Sequence, residues 1–376
     1  MIDIHVHLRD FEESHKETIA HGLLVASSVG YAALFEMPNT TPSLTTKREI
    51  ERRIAFADQV LMKDQLPVFH GIYAGLTGAE GQAADMAACL KEHFPRVAGL
   101  KLYAGPSTGD LGVSEFQMQK RIFQELTDLG YQGALAVHCE DPKKFRTDEG
   151  LNHSQRRPVE AELSSVDDIL AIAGETGFAG NLHICHVSTA EVLDLVESSR
   201  ERLACRVSTG VTPHHLLLDD SLVKGDTGYL FTVNPPLRSE AQRAGLFQAA
   251  LDGRIDVLES DHAPHELEDK QRGAAGLPGI PGMLCAVAYL VKHGIDGSLL
   301  TRMVFENPME ILSLDPEMLL SDHAGEQLSV LYRITNMFDQ ITSGGWVSLC
   351  ERYRQNVDEY PWDPYEGLSR EEFLSP

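Results

Sequence analysis

The stretch Ile2–Asp10, IDIHVHLRD, sets two histidines one residue apart and then an arginine at the end of an apolar run. Side chains alternate faces along a strand, so His5 and His7 point the same way if this run is β. A histidine pair on a solvated strand face and half of a metal site both fit the segment alone. The ends of the other apolar runs decide between them.

Seven further short runs, rich in apolar and β-branched residues, follow it. They are YAALFEM from Tyr31, LPVFHGIYA from Leu66, VAGLKLY from Val97, GALAVHC from Gly133, NLHICHV from Asn181, ACRVSTGV from Ala204 and RIDVLES from Arg254. Between them lie segments such as TTKREIERRIAFADQVLM and STAEVLDLVESSRERL, with apolar residues at helical spacing and Thr or Ser at the N-cap. Eight strands alternating with helices predict a (β/α)8 TIM barrel, whose active site lies at the C-terminal ends of the strands. The first strand ends in His5 and His7, the fourth in Lys101, the fifth in His138, the sixth in His186 and the eighth in Asp261. Their convergence on one rim favours the metal reading.

Imidazole and carboxylate suit zinc, manganese or a similar divalent ion. The set is too large for one tetrahedral site that also keeps a water. It divides over two metals, with His5, His7 and Asp261 on one and His138 and His186 on the other. Two cations about 3.5–4 Å apart need a bridging anion. An ammonium on Lys101 would be repelled there, but its neutral amine can add carbon dioxide to give a bridging carbamate. The plainer alternative is a strand-end lysine that binds a phosphate or carboxylate. A bridging hydroxide would attack a carbonyl, and Asp261 would pass its proton to a leaving nitrogen. The reaction class is hydrolysis of an amide-like bond, or its reversal.

Bulk properties set further bounds. At 376 residues the chain can bury a large core, and no apolar run is long enough to span a membrane. The formal charge of -24 argues against nucleic acid or an anionic membrane as a partner, and requires a locally positive site for any anionic substrate. Six dispersed cysteines and no secretory signal fit a cytoplasmic protein with reduced thiols.

The motifs HVHLRD, MPNT, GLKLYAG, HCED, ICHVST, NPPLR and SDHAPH resemble, in the same order, those of the dihydroorotases within the amidohydrolase superfamily. The likeness covers residues 1–310. It implies reversible cyclisation of N-carbamoyl-L-aspartate to L-dihydroorotate in pyrimidine synthesis. It also implies a metal-dependent amidohydrolase barrel with two divalent ions, zinc the expected choice. His5, His7, Lys101, His138, His186 and Asp261 match the metal ligands, Lys101 as the carboxylated bridge and Asp261 also as the general acid/base. Arg9, Asn39 and His265 match holders of the substrate's α-carboxylate, an anion that suits an arginine fork. Asn234 and Gly279 match positions on the pyrimidine ring edge, and Thr108 matches a lid threonine. Because the HxH strand starts at the first residue, most or all of the small accessory β-domain is expected to be absent. The expected division is a barrel of residues 1–312 and a helical and extended tail, 313–376, packed on the barrel or on a second subunit. The expected partners are a small anionic substrate and a second copy in a homodimer, with a pyrimidine-pathway enzyme left open. Competing readings are another cyclic amidohydrolase (hydantoinase, dihydropyrimidinase or allantoinase) and an inactive scaffold.

Several tempting residues receive plainer roles. His183 is expected to face away from the site if His186 faces it. His214 and His215 are assigned to packing or support, and His262 to a structural role. Cys139 and Cys185 are expected to alternate outward.

Overall fold

The structure, a computed structural model, describes residues 1–106, 111–319, 355–356 and 360–366. Eight strands run in chain order: β1 Ile2–Val6, β2 Ala33–Glu36, β3 Phe69–Gly75, β4 Val97–Ala104, β5 Ala134–Cys139, β6 Asn181–Ile184, β7 Arg206–Val211 and β8 Val257–Leu258. Each pairs in parallel with the next, so spatial order equals sequence order. The circle closes through a parallel bridge between Val6 and His262, where the His7 N–H donates to the His262 carbonyl at 2.7 Å. Each strand is followed by a long helix: α1 Ile19–Val29, α2 Lys47–Asp64, α3 Gln82–His93, α4 Phe116–Asp128, α5 Val159–Thr176, α6 Ala190–Arg200, α7 Glu240–Leu251 and α8 Gly279–Lys292. This is the expected (β/α)8 barrel, and the described residues form no accessory β-domain. β8 falls furthest short of its predicted run, and β2 and β6 also end early.

The helices form where the sequence provides both a cap and a stripe. In α2 the Thr46 side chain accepts the Glu49 N–H, and Ile50, Arg53, Ala57 and Leu61 recur at helical spacing on the buried face. The strands sort their side chains by alternation. Leu100, Leu102, Leu135, Val137, Leu182 and Ile184 pack outward against helices, whereas Phe35, Phe69, Tyr73, Ala134 and Ala136 fill the barrel. In β1 this alternation breaks. Ile2 and Ile4 belong to the inner cluster and Val6 to the outer one, and the register with β2 shifts between Asp3 and Val6. A local bulge of this kind puts His5 on the same inner side as Ile4, and His7 follows it.

At the opposite end Met309, Ile311 and Leu312 join the inner cluster, and Asn181 at the start of β6 donates to the Ile311 carbonyl at 2.9 Å. This packing continues past residue 312, because Leu314 and Leu319 belong to the same cluster. Further along, Tyr365 is fully buried, and its ring fills the space that a Cβ on Gly282 of α8 would need.

One buried ion pair links the fold to the rim. Arg53 of α2 donates to both oxygens of Glu36 on β2, at 2.9 and 2.5 Å, and its Nη2 also donates to the Arg9 carbonyl at 2.9 Å. Burial alone would raise the Glu36 carboxyl, but the Arg53 guanidinium and His70 more than offset this and lower it to about 2. Its stabilising contribution is therefore fully present above the ordinary value of 4.5 and fades as pH falls towards 2. Arg53→Met is expected to cost about 3–5 kcal/mol in urea unfolding at pH 7, by stranding a buried carboxylate. Adding Glu36→Gln should recover a large part of that loss and flatten stability between pH 4.5 and 2. A cost below 1 kcal/mol for Arg53→Met would contradict this account of the pair.

Candidate functional site

A cavity of about 440 Å³ opens at the C-terminal ends of the strands. His5, His7, His138, His186 and Asp261 line it, as do Arg9, Asn39, Asn234 and His265. Thr108 lies outside the described residues. Gly279 is set back from the cavity: a Cβ there would stand 2.2 Å from the Ser260 carbonyl, so glycine serves the close docking of α8 on the Asp261 segment. Gly276 lines the cavity in its place.

The histidines are oriented by their second nitrogens. The Nδ1–H of His7 donates to Oδ1 of Asn39 at 2.7 Å, which leaves Nε2 facing Oδ1 of Asp261 at 3.1 Å. Nε2 of His5 lies 3.5 Å from the same oxygen. His5, His7 and Asp261 thus bring three ligand atoms within 4.8 Å of one another. Opposite them, Oε2 of Glu140 stands 3.3 Å from Nε2 of His138, whose Nδ1 is 3.1 Å from Nε2 of His186. The His186 ring is centred 5.1 Å from that of His5 and 4.9 Å from that of His138. His186 and Asp261 both hold left-handed backbone, at φ 38° and 44°, a conformation that side chains rarely adopt and that clusters at functional sites.

Burial drives the imidazoles towards neutrality. His5 falls to about 4, and His138 and His186 also fall, with desolvation the leading cause in each. Burial would raise Asp261, but the His7 hydrogen bond and the adjacent His5 imidazole hold it well below the usual carboxylate range. Neutral imidazoles beside an ionised carboxylate are the forms that bind a metal. His186 Nδ1 is buried without a hydrogen-bond partner, and the donor set fits divalent ions of the zinc type.

Lys101 sits beneath this rim and is 0% exposed. Its Nζ donates to Sγ of Cys185 at 3.1 Å and lies 5.0 Å from the centre of the Tyr103 ring. It forms no ion pair with a carboxylate among the described residues. Cys185 therefore points inward, contrary to expectation, whereas Cys139 packs outward as expected. His183 also turns inward, with Nε2 3.2 Å from Glu259 and Nδ1 2.9 Å from Ser208. The reason is that β6 ends at Ile184. The left-handed turn at His186 breaks the alternation that sequence reasoning had carried through it. His215 holds the chain beside Asn234 through the Pro235 carbonyl at 3.0 Å, and His214 is fully buried. His262 pairs with Glu17 at 2.9 Å, a structural role as expected.

Cationic groups gather on one side of the cavity. Arg9 is 4% exposed; its Nε donates to the Pro264 carbonyl and its Nη2 to Nε2 of His265, at 3.3 and 3.0 Å. Lys16 and Arg157 line the same cavity, and neither was singled out from the sequence. Arg157 also clamps Glu140 through two nitrogens. Oδ1 of Asn234 accepts from Nε2 of His153 at 2.9 Å. Buried Lys270, lowered to about 7 by desolvation, ties the Thr232 and Gly276 carbonyls together at 2.8 Å each. A neutral amine has two N–H donors, enough for both. The adjacency of Glu140 to His138 in HCED was a readable signal, whereas Arg157 and Lys270 carry none in spacing or pattern.

Comparisons with known proteins bear on this geometry. No family model matches the chain. It is 35% identical over 298 residues to a dihydroorotase of Thermococcus kodakarensis, covering 78% of this chain and 63% of that one. It is 31% identical over 371 residues to a dihydroorotase of Pyrococcus abyssi, covering 98% of this chain and 78% of that one. Among solved structures, an L-hydantoinase (dihydropyrimidinase) of Arthrobacter aurescens superposes with a TM-score of 0.72 at 23% identity, over 87% of this chain and 73% of that one. A Saccharomyces cerevisiae dihydroorotase in complex with 5-fluoroorotic acid gives 0.68 at 18%, over 85% of each. At those identities the structural likeness establishes the fold. With the sequence relationship over most of its length, the chain belongs to the dihydroorotase family of metal-dependent cyclic amidohydrolases.

Proposed function

We propose that this chain interconverts N-carbamoyl-L-aspartate and L-dihydroorotate, losing one water on ring closure and adding one on opening. The observation that carries the reading is one cavity with a metal-type donor set on one side and the Arg9–His265 corner on the other. A cyclic amide with a pendant carboxylate matches both halves.

His5, His7, Lys101, His138, His186 and Asp261 would hold two divalent ions, zinc in our proposal, which supply Lewis acidity and an activated water. Lys101 would take part as a carbamate; its burial without a carboxylate partner among the described residues supports that role. Arg9 spends Nε and Nη2 on Pro264 and His265, and its Nη1, 3.8 Å from Oε1 of Glu13, is the nitrogen that would turn to the substrate's carboxylate. Asn39 spends its oxygen on His7, leaving its amide N–H groups for the same anion. His265, lowered to about 2 chiefly by burial and also by Arg9, is neutral there and adds no charge of its own. Asn234 and the backbone near Gly276 flank the ring. Asp261, ionised at rest, takes a proton from the attacking water and returns it to the ring nitrogen as the carbon–nitrogen bond breaks. Cyclisation runs the same transfers backwards.

We further propose a catalytic barrel of residues 1–312 with a tail, 313–376, of which 314–319 and 360–366 pack back on the barrel. A homodimer belongs to the same proposal, as does a cytoplasmic location, which the dispersed cysteines support. No helix among the described residues is long and apolar enough to cross a membrane.

The direct test is ring opening of L-dihydroorotate by purified protein, followed by ultraviolet absorbance, with metal analysis of the same sample. Turnover with about two metals per chain is expected; metal-loaded protein without turnover would overturn the proposal. Arg9→Met should raise KM by about 10- to 100-fold with metal content unchanged, the scale of a lost charge-assisted hydrogen bond. Lys101→Ala should lose the bridge and most of one metal. Retention of full metal content and activity would remove the carbamate. Asp261→Asn should lower kcat by about 100- to 10,000-fold, and near-normal turnover would exclude it as the acid/base.

A further inference from the structure

Glu259 is absent from every role assigned above, yet its carboxylate touches more of the donor set than any other support residue described. It follows β8 and lies two residues before Asp261, and it is 0% exposed. Oε1 accepts the backbone N–H of His186, at the left-handed turn that aims that imidazole. Oε2 lies 3.2 Å from Nε2 of His183 and 3.5 Å from Nδ1 of His5. His5 is thus set between two carboxylates, with Nδ1 facing Glu259 and Nε2 facing Asp261. Ligand atoms of His5, Cys185 and Glu259 lie within 4.8 Å of one another, so Glu259 also borders the thiol that receives Lys101.

The neighbouring strand is cut to fit this group. A Cβ on Gly210 of β7 would stand 2.3 Å from Oε1 and 2.4 Å from the carboxylate carbon of Glu259. No side chain longer than hydrogen fits at residue 210 while Glu259 occupies that space.

We propose that Glu259 is a positioning residue of the metal centre, holding His5 by its outer nitrogen and the His186 turn by its backbone. A carboxylate behind a ligating imidazole fixes the tautomer and ring direction and raises the basicity of the ligand. Here one carboxylate does so for His5 and also fixes the chain of a second donor, at the end of β6. The proposal rests on the metal-centre reading.

The test is metal affinity, measured by competition with a chromophoric chelator on the wild type, Glu259→Gln and Glu259→Ala. Urea unfolding of the metal-free proteins is measured in parallel. Glu259→Gln keeps the shape and an oxygen for the His186 N–H, and guards against a misfolded alanine variant. Affinity is expected to fall by about 10- to 100-fold in Glu259→Gln, the usual cost of losing such a partner, with metal-free stability moving far less. The visible spectrum of the cobalt-substituted variant should shift as the His5 ring reorients. Because the absent Cβ of Gly210 points at the carboxylate, Gly210→Asp in the Glu259→Ala background should return a carboxylate to that space and restore part of the affinity. Unchanged metal affinity and cobalt spectrum in Glu259→Gln would overturn the proposal, as would a loss of metal-free stability with affinity intact. A wild-type protein that takes up no metal would instead overturn the metal centre itself.

Discussion

Burying polar nitrogens and carboxylates away from water is costly unless each finds a partner. The rim of this barrel does so repeatedly around one point. His186 keeps a buried ring nitrogen without a hydrogen-bond partner, and the ionised Asp261 oxygen lies close to His5 and His7. The surroundings are arranged to keep these groups where they are. Asn39 turns His7, Glu140 stands behind His138, and Glu259 lies behind His5. A set of neutral imidazoles and an ionised carboxylate, strained at His186 and Asp261, accounts for much of what the upper half of the barrel is built to hold.

The second half of the chemistry is a cluster of cations, each beside a carboxylate: Arg9 and Lys16 at Glu13, and Arg157 at Glu140. The chain carries a formal charge of -24, yet Arg9, Lys16 and Arg157 all line the cavity. Arg9 lies in a left-handed loop, at φ 53°, and its carbonyl is held by the buried Arg53–Glu36 pair between α2 and β2. The position of the anion-binding guanidinium thus depends on the core. Lys270 does similar work on the far wall, joining the segment before Asn234 to the loop at Gly276. Trp362 of the tail packs edge-on against Phe231 beside it.

Much of this was legible in the chain. The eight apolar runs became eight parallel strands, and the chemistry-bearing residues read at their ends line one cavity, apart from Lys101 beneath it. What could not be read was local geometry that breaks period two. The bulge in β1 brings His5 to the inner face, so that the His5–His7 pairing follows from a register shift as well as from alternation. The turn after Ile184 allows His183, Cys185 and His186 all to face inward, against the simple count. Glu259 was hidden because its meaning depends on a glycine 49 positions earlier in the chain (259 − 210), on the adjacent strand. Gly279 is not among the residues lining the cavity, and its bare backbone allows the close docking of α8, a contact that no motif announces.

The central claim is that a metal-type centre and a carboxylate clamp act on one substrate. It is tested most directly by the ratio of kcat/KM for L-dihydroorotate to that for dihydrouracil, the same ring without its carboxylate, at fixed metal loading. Loss of the charge-assisted contacts to Arg9 predicts a preference for dihydroorotate of about 100-fold or more. Equal or faster turnover of dihydrouracil would contradict the account, because the Arg9–His265 corner would then have no part in selecting the substrate.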